Sequence, residues 1–97
     1  MEFEWDPDKA TFNEQKHGLS FEEAREFFHG TADYLEIYDY EHSLDEDRYF
    51  AIGPIKRGLV CVVYVERADD QIRLISARFA TRRERRLFAE FMGGRLP

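Results

Sequence analysis

Alternating or continuous apolar positions predict the strands of this chain. Four segments of the middle and later chain show such a pattern: Ala32–Tyr38, Arg48–Gly53, Leu59–Val65 and Gln71–Phe79. Leu59–Val65 is apolar throughout, which is typical of a strand buried on both faces, so we expect it at the centre of the sheet. A shorter alternation at Phe3–Trp5 predicts an edge strand near the N-terminus.

Helical spacing and capping signals predict a first helix near the N-terminus. It begins after the N-cap Asp6 with Pro7 at its first position, where the missing N–H of proline costs nothing. It ends one or two residues before Gly18, which suits a left-handed helix end. The apolar face of this helix is thin, and we expect Ala10 and Phe12 to point inward.

Two more helices are predicted, each opened by a capping box. One runs from Ser20 to Gly30 and the other from about Arg82 to Met92. In each box a hydroxyl and a glutamate three residues later bond to each other's backbone N–H, as expected for Ser20 with Glu23 and for Thr81 with Glu84. The last helix should turn three apolar side chains inward: Leu87, Phe88 and Phe91.

The predicted elements follow in the order β-α-α-β-β-β-β-α. The four later strands have short connections, which implies an antiparallel meander because parallel neighbours need long crossovers. We expect the helices before and after the meander to cover one face of the sheet, giving a compact α+β fold. A length of 97 residues is typical of one domain, so we expect residues 1–97 to form a single domain.

The last strand carries mixed side chains on both of its faces. Simple alternation places Ile72, Leu74, Ser76 and Arg78 on one face, and Arg73, Ile75, Ala77 and Phe79 on the other. The pattern therefore leaves open which face is buried.

Charge divides the chain into an acidic half and a basic half. The net charge is −6, but residues 1–50 carry 15 acidic and 4 basic side chains (net −11), and residues 51–97 carry 5 acidic and 10 basic ones (net +5). The acidic total argues against a general nucleic-acid binder, since such domains are usually basic. The division favours a local cationic site for a polyanion and an acidic surface for a basic partner.

Several classes of site have no pattern in this sequence. The histidines lack metal-binding spacing and Cys61 lies within an apolar strand, so we expect no metal site and no cofactor. Glycine-rich phosphate loops are missing, and Ser76 lies mid-strand without the turn that activates a serine nucleophile. No secretory signal or membrane span is recognisable, so we expect a soluble intracellular protein.

The corner between the last strand and the last helix is the most cationic segment. Residues 73–86 contain six arginines: Arg73, Arg78, Arg82, Arg83, Arg85 and Arg86. Arg78 falls near the end of an otherwise apolar strand, where a guanidinium needs an anionic partner. A salt bridge to Glu84 or Glu46 and a bidentate clamp on phosphate are equally consistent with this position.

Ordinary structural roles compete with functional ones at the other cations. Exposure to solvent is favoured for Arg82 and Arg86, and a local ion pair with the acidic residues 45–47 is favoured for Arg48. Lys9, Asn13 and Lys16 share one face of the first helix at i, i+4 and i+7, and His17 closes the same end. A solvated polar face and a binding site both remain open for that face.

Four separated motifs resemble the BrnT toxins and occur in the family's order. They are Trp5–Lys9, Asn13–Ala24, Asp45–Arg48, and Ile75–Arg78 with Ala80–Thr81 and Glu84–Arg85. The resemblance covers nearly the whole chain, and the four motifs together are much more specific than any one of them.

The resemblance implies a small bacterial toxin of a type II toxin–antitoxin module with a RelE-like fold, acting in the cytoplasm. It implies metal-independent RNA cleavage that halts translation, in which the ribose 2′-hydroxyl attacks the adjacent phosphate. The implied partners are the RNA substrate and a BrnA-like ribbon-helix-helix antitoxin, with DNA met only through the antitoxin. Two alternatives are a module that docks an acidic protein, and a catalytically weak or inactive toxin homologue that only binds its antitoxin.

Site residues follow from the resemblance motif by motif. The positions implied for catalysis are Lys16, His17, Arg48, Arg78 and Glu84, and those implied for RNA binding are Lys9, Asn13, Arg82 and Arg85. Arg78 and Arg48 would stabilise phosphate, and Lys16 or His17 would act as acid or base. The family often has a hydroxyl-bearing aromatic four residues after Glu84. Phe88 stands there in this chain, so that hydroxyl is either dispensable or its loss reduces activity.

Overall fold

The computed structural model describes residues 1–68 and 70–93. Within them, nine elements follow in chain order: β1 (Glu2–Glu4), α1 (Pro7–His17), α2 (Phe21–Ala24), α3 (Glu26–His29), β2 (Leu35–Tyr38), β3 (Arg48–Ile55), β4 (Gly58–Arg67), β5 (Gln71–Phe79) and α4 (Arg82–Gly93). The expected domain of residues 1–97 thus extends beyond the described part. None of the helices in that part is long and apolar enough to cross a membrane.

The sheet confirms the predicted antiparallel meander. Its strand order is β1-β5-β4-β3-β2, and pairing is antiparallel from β2 through β5. β4 is the central strand, as predicted, and its residues Val60, Cys61 and Val62 are at most 3% exposed. β1 is an edge strand, as predicted, and pairs in parallel with β5 from Glu2↔Gln71 to Glu4↔Arg73.

The second predicted helix is divided into two short ones. α2 ends at Ala24, the ψ of −5° at Arg25 departs from the helical value, and α3 begins at Glu26. The Arg25 guanidinium lies over the rings of Phe3 and Trp5, with distances of 5.7 and 5.6 Å to their centroids. The break places Phe21 on one side of it and Phe27 on the other, both buried.

Helices cover both faces of the sheet, which corrects the expectation that they share one. The main core joins residues of α2 and α3 to Ala51, Val60 and Val62 of the sheet. Ile52 and Cys61 point to the opposite face, because neighbouring strand residues alternate, and there they pack with Ala80 and Phe88. α4 therefore lies across the sheet from α1–α3.

A β-bulge in β5 changes which of its residues face the core. Val63 pairs with Ser76, but the next residue, Tyr64, pairs with Leu74, so Ile75 has no partner on β4. The extra residue brings Ala77 into the same buried core as Leu74, although simple alternation had placed these two on opposite faces. The predicted grouping of Leu74 with Ser76 and Arg78 is therefore wrong.

α1 packs through a polar side chain, and its predicted inward phenylalanine points out. The caps are as predicted, since Asp6 accepts a hydrogen bond from the Asp8 N–H at 2.8 Å and Gly18 has φ of +66°. However, Phe12 is 62% exposed and Asn13 is 4% exposed. Ala10 packs partly against the main core, as expected.

The Asn13 amide explains why this polar residue is buried. Its Nδ2 donates to the carbonyl oxygens of Leu19 (3.0 Å) and Ala77 (2.8 Å), and its Oδ1 accepts from the Ala77 N–H (2.9 Å). β1 covers the outer edge of β5 only as far as Arg73. Asn13 thus takes the place of a neighbouring strand at Ala77 and fixes α1 to the edge of the sheet.

α4 buries fewer side chains against the sheet than its apolar pattern predicted. Thr81 and Glu84 form the full capping box, with the Thr81 N–H donating to Glu84 Oε1 at 2.9 Å and the Glu84 N–H to Thr81 Oγ1 at 3.2 Å. Phe88 packs against the second core cluster, but Leu87, expected inward, is 37% exposed. No residue of Arg82–Gly93 is fully buried.

Candidate functional site

The corner between β5 and α4 is built around an ion pair of Arg78 and Glu84. Arg78 Nη1 and Nη2 donate to the two Glu84 carboxylate oxygens at 2.6 and 2.8 Å. Glu84 is held in turn by the capping box with Thr81. Of the two carboxylates considered as partners of Arg78, Glu84 forms the salt bridge, and Glu46 instead pairs with Arg67 at 3.3 Å.

This pairing sets the chemistry that each partner can perform. Hydrogen bonds from the Arg78 guanidinium, together with the Thr81 backbone N–H, lower the pKa of Glu84 to about 2 despite its partial burial. Glu84 is therefore ionised at neutral pH and is a weak base, although the resemblance implied a catalytic position. Its observed contacts orient Arg78 and cap α4.

Arg78 keeps donors that Glu84 does not use. A guanidinium has five N–H groups, and Glu84 takes one from each Nη atom. Nη1 also approaches the Phe79 carbonyl at 3.4 Å, and within the described residues the Nε–H has no hydrogen-bond partner. The Arg78 side chain is 39% exposed, so an anion can approach it while Glu84 holds it in place.

Cys61 lies beside this pair but is not a nucleophile. It pairs with Arg78 in the sheet register and is 3% exposed, as the apolar strand predicted. Burial, followed by the charge of Glu84, raises the pKa of the Cys61 thiol to about 12. The thiol is protonated at neutral pH, and thiolate is the reactive form.

A groove next to the corner gathers most of the polar face of α1. It has a volume of about 500 Å³ and runs between α1 and the bulge of β5. Its lining includes four charged or titratable side chains of α1, one of them acidic, and two residues of the bulge: Asp8, Lys9, Lys16, His17, Ile75 and Ser76. Ser76 is two residues from Arg78 on the same strand, about 7 Å away. The groove lined by Lys16 and His17 therefore reaches β5 two residues before Arg78, which does not itself line it.

Arg48 does not join this corner. It pairs with Val65, which pairs with Arg73, whereas Arg78 is in line with Cys61 and Ile52. Four residues along a strand and two strands across separate Arg48 from Arg78 by roughly 16 Å. The local ion pair expected for Arg48 is also not formed, because its guanidinium has no ionic partner among the residues that the structure describes.

The position of Asn13 also does not fit the RNA-binding role expected for it. All three of its hydrogen bonds go to the backbone of Leu19 and Ala77, and the side chain is buried. Both Nδ2 hydrogens are used, and Oδ1 already accepts from the Ala77 N–H, so Asn13 lines the groove with an amide committed to the backbone. Its place on the polar face of α1 is explained by the edge of β5 that it satisfies.

The arginines of α4 form an exposed cationic patch. Arg82, Arg83, Arg85 and Arg86 are all exposed, and none forms an ion pair with a carboxylate in the described ranges. Four cations at a helix N-terminus repel one another and the positive end of the helix dipole. The acidic side chain of this first turn, Glu84, is already paired with Arg78, so the four exposed arginines favour an external anion.

Four groove residues were not recognised as site residues from the sequence: Asp8, Phe12, Ile75 and Ser76. Ser76 was assigned a structural role, and Phe12 was expected to point inward. The helical spacing held a signal for Phe12, because it lies three residues after Lys9 and four before Lys16, on the polar side of α1. Ser76 had no such signal, since its position depends on the bulge.

The described residues of this site include no cluster of side chains that could bind a metal ion. In residues 1–68 and 70–93, no group of three or more histidine, cysteine, aspartate or glutamate side chains could hold a metal ion. The groups at the corner that can carry or transfer charge are guanidinium, ammonium, imidazole and carboxylate side chains.

Comparisons with known proteins agree on one family. The family model described as the ribonuclease toxin BrnT of type II toxin–antitoxin systems matches residues 5–84. Among solved structures, the 1.1 Å crystal structure of the Brucella abortus ribonuclease toxin BrnT matches with a TM-score of 0.63 and 27% sequence identity, over 84% of this chain and 99% of that one. The curated proteins contain no match.

The family match spans the four motifs up to Glu84 and includes both Arg78 and the α1 face. It favours a ribonuclease toxin over a module that only binds a partner. The chain belongs to the BrnT family, the ribonuclease toxins of type II toxin–antitoxin systems.

Proposed function

We propose that this toxin is a metal-independent endoribonuclease whose active site is the corner between α1, the bulge of β5 and the start of α4. The observation that carries the proposal is the placement of Arg78. Glu84 fixes its guanidinium while leaving the Nε–H without a partner in the described chain, next to the groove that holds Lys16 and His17. Fixed donors of this kind stabilise charge that develops in a transition state.

In the proposed reaction the ribose 2′-oxygen attacks the adjacent phosphorus. The 2′-oxygen loses its proton to a base, the bond from phosphorus to the 5′-oxygen breaks, and the leaving oxygen receives a proton. A 2′,3′-cyclic phosphate and a 5′-hydroxyl result, so the reaction consumes no water. Arg78 stabilises the phosphoryl oxygens.

His17 and Lys16 are the proposed proton-transfer groups. Both line the groove at the C-terminal end of α1. Imidazole is the side chain that most often performs general acid–base catalysis, so we assign the proton transfer to His17 first. Lys16 is exposed beside it and supplies a positive charge. Phe88 faces the second core cluster and takes no part, so the site works without an aromatic hydroxyl there.

The substrate proposed is single-stranded RNA held by its phosphates. Lys9 in the groove, and Arg82 and Arg85 on α4, would contact phosphates on either side of the cleaved bond. Arg48 is not included because of its distance from the corner, and Asn13 is not included because it is buried. A local cationic corner reconciles RNA binding with the net charge of −6.

The partner proposed is a BrnA-like ribbon-helix-helix antitoxin, and the setting is the bacterial cytoplasm. A type II toxin is neutralised by a protein antitoxin, and the net charge of −11 over residues 1–50 favours a basic contact surface on that partner. We further propose that residues 1–97 form one RelE-like toxin domain.

A substrate containing a single 2′-deoxynucleotide tests this function. The purified toxin should cut a single-stranded RNA oligonucleotide in the presence of a chelator, and 2′-deoxy substitution at the cleaved position should abolish cleavage there. Cleavage should also arrest growth when the toxin is expressed in bacteria without its antitoxin. Normal growth with confirmed soluble toxin and intact RNA would contradict the proposal, and persistent cleavage of the 2′-deoxy substrate would contradict the mechanism.

A further inference from the structure

Phe12 is an aromatic side chain that the fold leaves in solvent. It is 62% exposed, although phenylalanine is usually among the most buried residues. It belongs to neither core cluster, and it makes no ring–ring contact within the described residues. Its packing therefore does not explain its presence on α1.

Other exposed aromatic rings differ from Phe12 in having a ring or guanidinium against them. Tyr40, at 83% exposed, lies 4.6 Å from the ring of Tyr38. Phe79, at 37%, is covered by the Arg57 guanidinium at 5.2 Å, which is itself bound to Glu23 at 2.7 Å. Among the residues that the structure describes, Phe12 has only the ammonium of Lys16, 5.8 Å from its ring centroid.

The surroundings of Phe12 match those of a nucleobase site. The ring lines the groove of about 500 Å³ together with Lys9, Lys16, His17 and the bulge of β5. Proteins bind single-stranded RNA with cationic grooves in which aromatic rings stack on unpaired bases. The groove combines both parts within one turn of α1 on either side of Phe12.

We propose that Phe12 is a base-stacking residue, which holds the base of a nucleotide next to the cleaved phosphate. The inference rests on the proposed function and adds a contact to the substrate base, where the cations contact only phosphates. Stacking places the nucleotide in the groove and orients its ribose towards His17. Because every base has a stacking face, the contact tolerates any sequence and mainly strengthens binding.

Binding of an uncleavable RNA tests this contact. The probe is a single-stranded RNA oligonucleotide with a 2′-deoxynucleotide at the cleaved position. A stacked base contributes about 1–3 kcal/mol, so Phe12→Ala should weaken the Kd by about 5- to 150-fold. Phe12→Trp should restore most of the affinity, and Leu44→Ala, which removes a 91% exposed leucine elsewhere, should leave it unchanged.

The salt dependence separates stacking from a loss of charge. Phe12→Ala should leave the slope of log Kd against log salt unchanged, whereas Lys9→Ala should reduce it by about 0.7, the value for one phosphate contact on a single strand. An abasic site scanned along the oligonucleotide should weaken binding to wild type at one position, and this effect should disappear in Phe12→Ala.

Three results would overturn the inference. In the first, the Kd of Phe12→Ala for the probe is within twofold of wild type while wild type still cleaves RNA. Phe12 is then not part of the RNA site, and the proposed ribonuclease function still stands. Normal RNA binding with lost antitoxin binding would instead assign Phe12 to the protein interface. If wild type neither binds nor cleaves RNA, the proposed function fails and the stacking contact fails with it.

Discussion

Arg78 is held by the fold and still open to an anion. Its bidentate pair with Glu84 fixes the guanidinium plane, and its exposed fraction of 39% leaves a path to the remaining donors. Positioned donors contribute to catalysis because they need no rearrangement during the reaction. Glu84 therefore has two roles: it holds the Arg78 guanidinium at the site, and it caps α4.

The Arg78–Glu84 pair should make stability depend on pH in the acid range. The Glu84 pKa is lowered to about 2 in the folded chain, against about 4.3 for an unperturbed glutamate. The pair therefore stabilises the fold fully above about pH 5, and the contribution is lost as the pH falls towards 2. Because water screens the half-exposed arginine, we expect about 1–2 kcal/mol at pH 7.

Glu84→Gln and a matched control measure this contribution. The free energy of unfolding of Glu84→Gln should be lower than that of wild type at pH 7, and the difference should shrink towards pH 2. Glu90→Gln, on the same helix and exposed, should show no such difference. A gap between wild type and Glu84→Gln that is constant from pH 7 to pH 2 would contradict the assignment.

Asn13 should be one of the most sensitive residues of the fold. Asn13→Ala leaves the buried N–H and C=O of Ala77 without partners, which should lower the free energy of unfolding by about 2–4 kcal/mol. Gln15→Ala, which removes an exposed amide from the same helix, should change it by less than about 0.5 kcal/mol. Urea titration of both variants checks the claim, and equal stabilities would refute it.

At the scale of elements, the contact between α3 and β3 depends on a glycine. A Cβ added at Gly53 would lie 2.7 Å from Phe27 Cγ and 2.9 Å from Tyr34 Cβ. Gly53→Ala should therefore force the buried Phe27 ring aside and destabilise the fold by about 1–3 kcal/mol. Gly30→Ala is the control, since its nearest contact would be 3.9 Å. Thermal unfolding that ranks the two variants equally would contradict this packing.

Much of the element order could be predicted because its signals are local. The caps at Asp6 and Gly18, the Thr81–Glu84 box and the apolar run around Cys61 each act within a few residues, and each appears in the structure. The break at Arg25 had no local signal, and the rings of Phe3 and Trp5 that the Arg25 guanidinium covers are distant in the sequence.

The candidate site could be predicted only in part for the same reason. Arg78 was recognisable as a cation in an apolar strand, and its Glu84 partner lies six residues away. The bulge at Ile75 depends on the register with β4, so the faces of β5 could not be assigned from alternation. Asn13 is buried and Phe12 is exposed, the reverse of the expectation, because the open edge of β5 at Ala77 needs a hydrogen-bonding partner.

For the whole molecule, the uneven charge predicts limited and local RNA binding. Contacts from Arg78, Arg82, Arg85 and one lysine of α1 would cover three or four phosphates. The slope of log K for binding against log salt should then be about −2 to −3, at about −0.7 per contact. Arg82→Ala and Arg85→Ala should each make it shallower by about 0.7, with no change in cleavage position. A slope near zero would show that phosphates are not the contacts.

The cleavage rates of wild type, Arg78→Ala and Arg48→Ala on one single-stranded RNA test the location of the active site most directly. Both variants remove an arginine from the same sheet, but only Arg78 lies at the corner of α1, β5 and α4. Arg78→Ala should lower kcat/KM by about 100- to 1,000-fold, the usual effect of losing one fixed donor, with Arg48→Ala close to wild type. A folded Arg78→Ala that cleaves RNA at the wild-type rate would contradict the account.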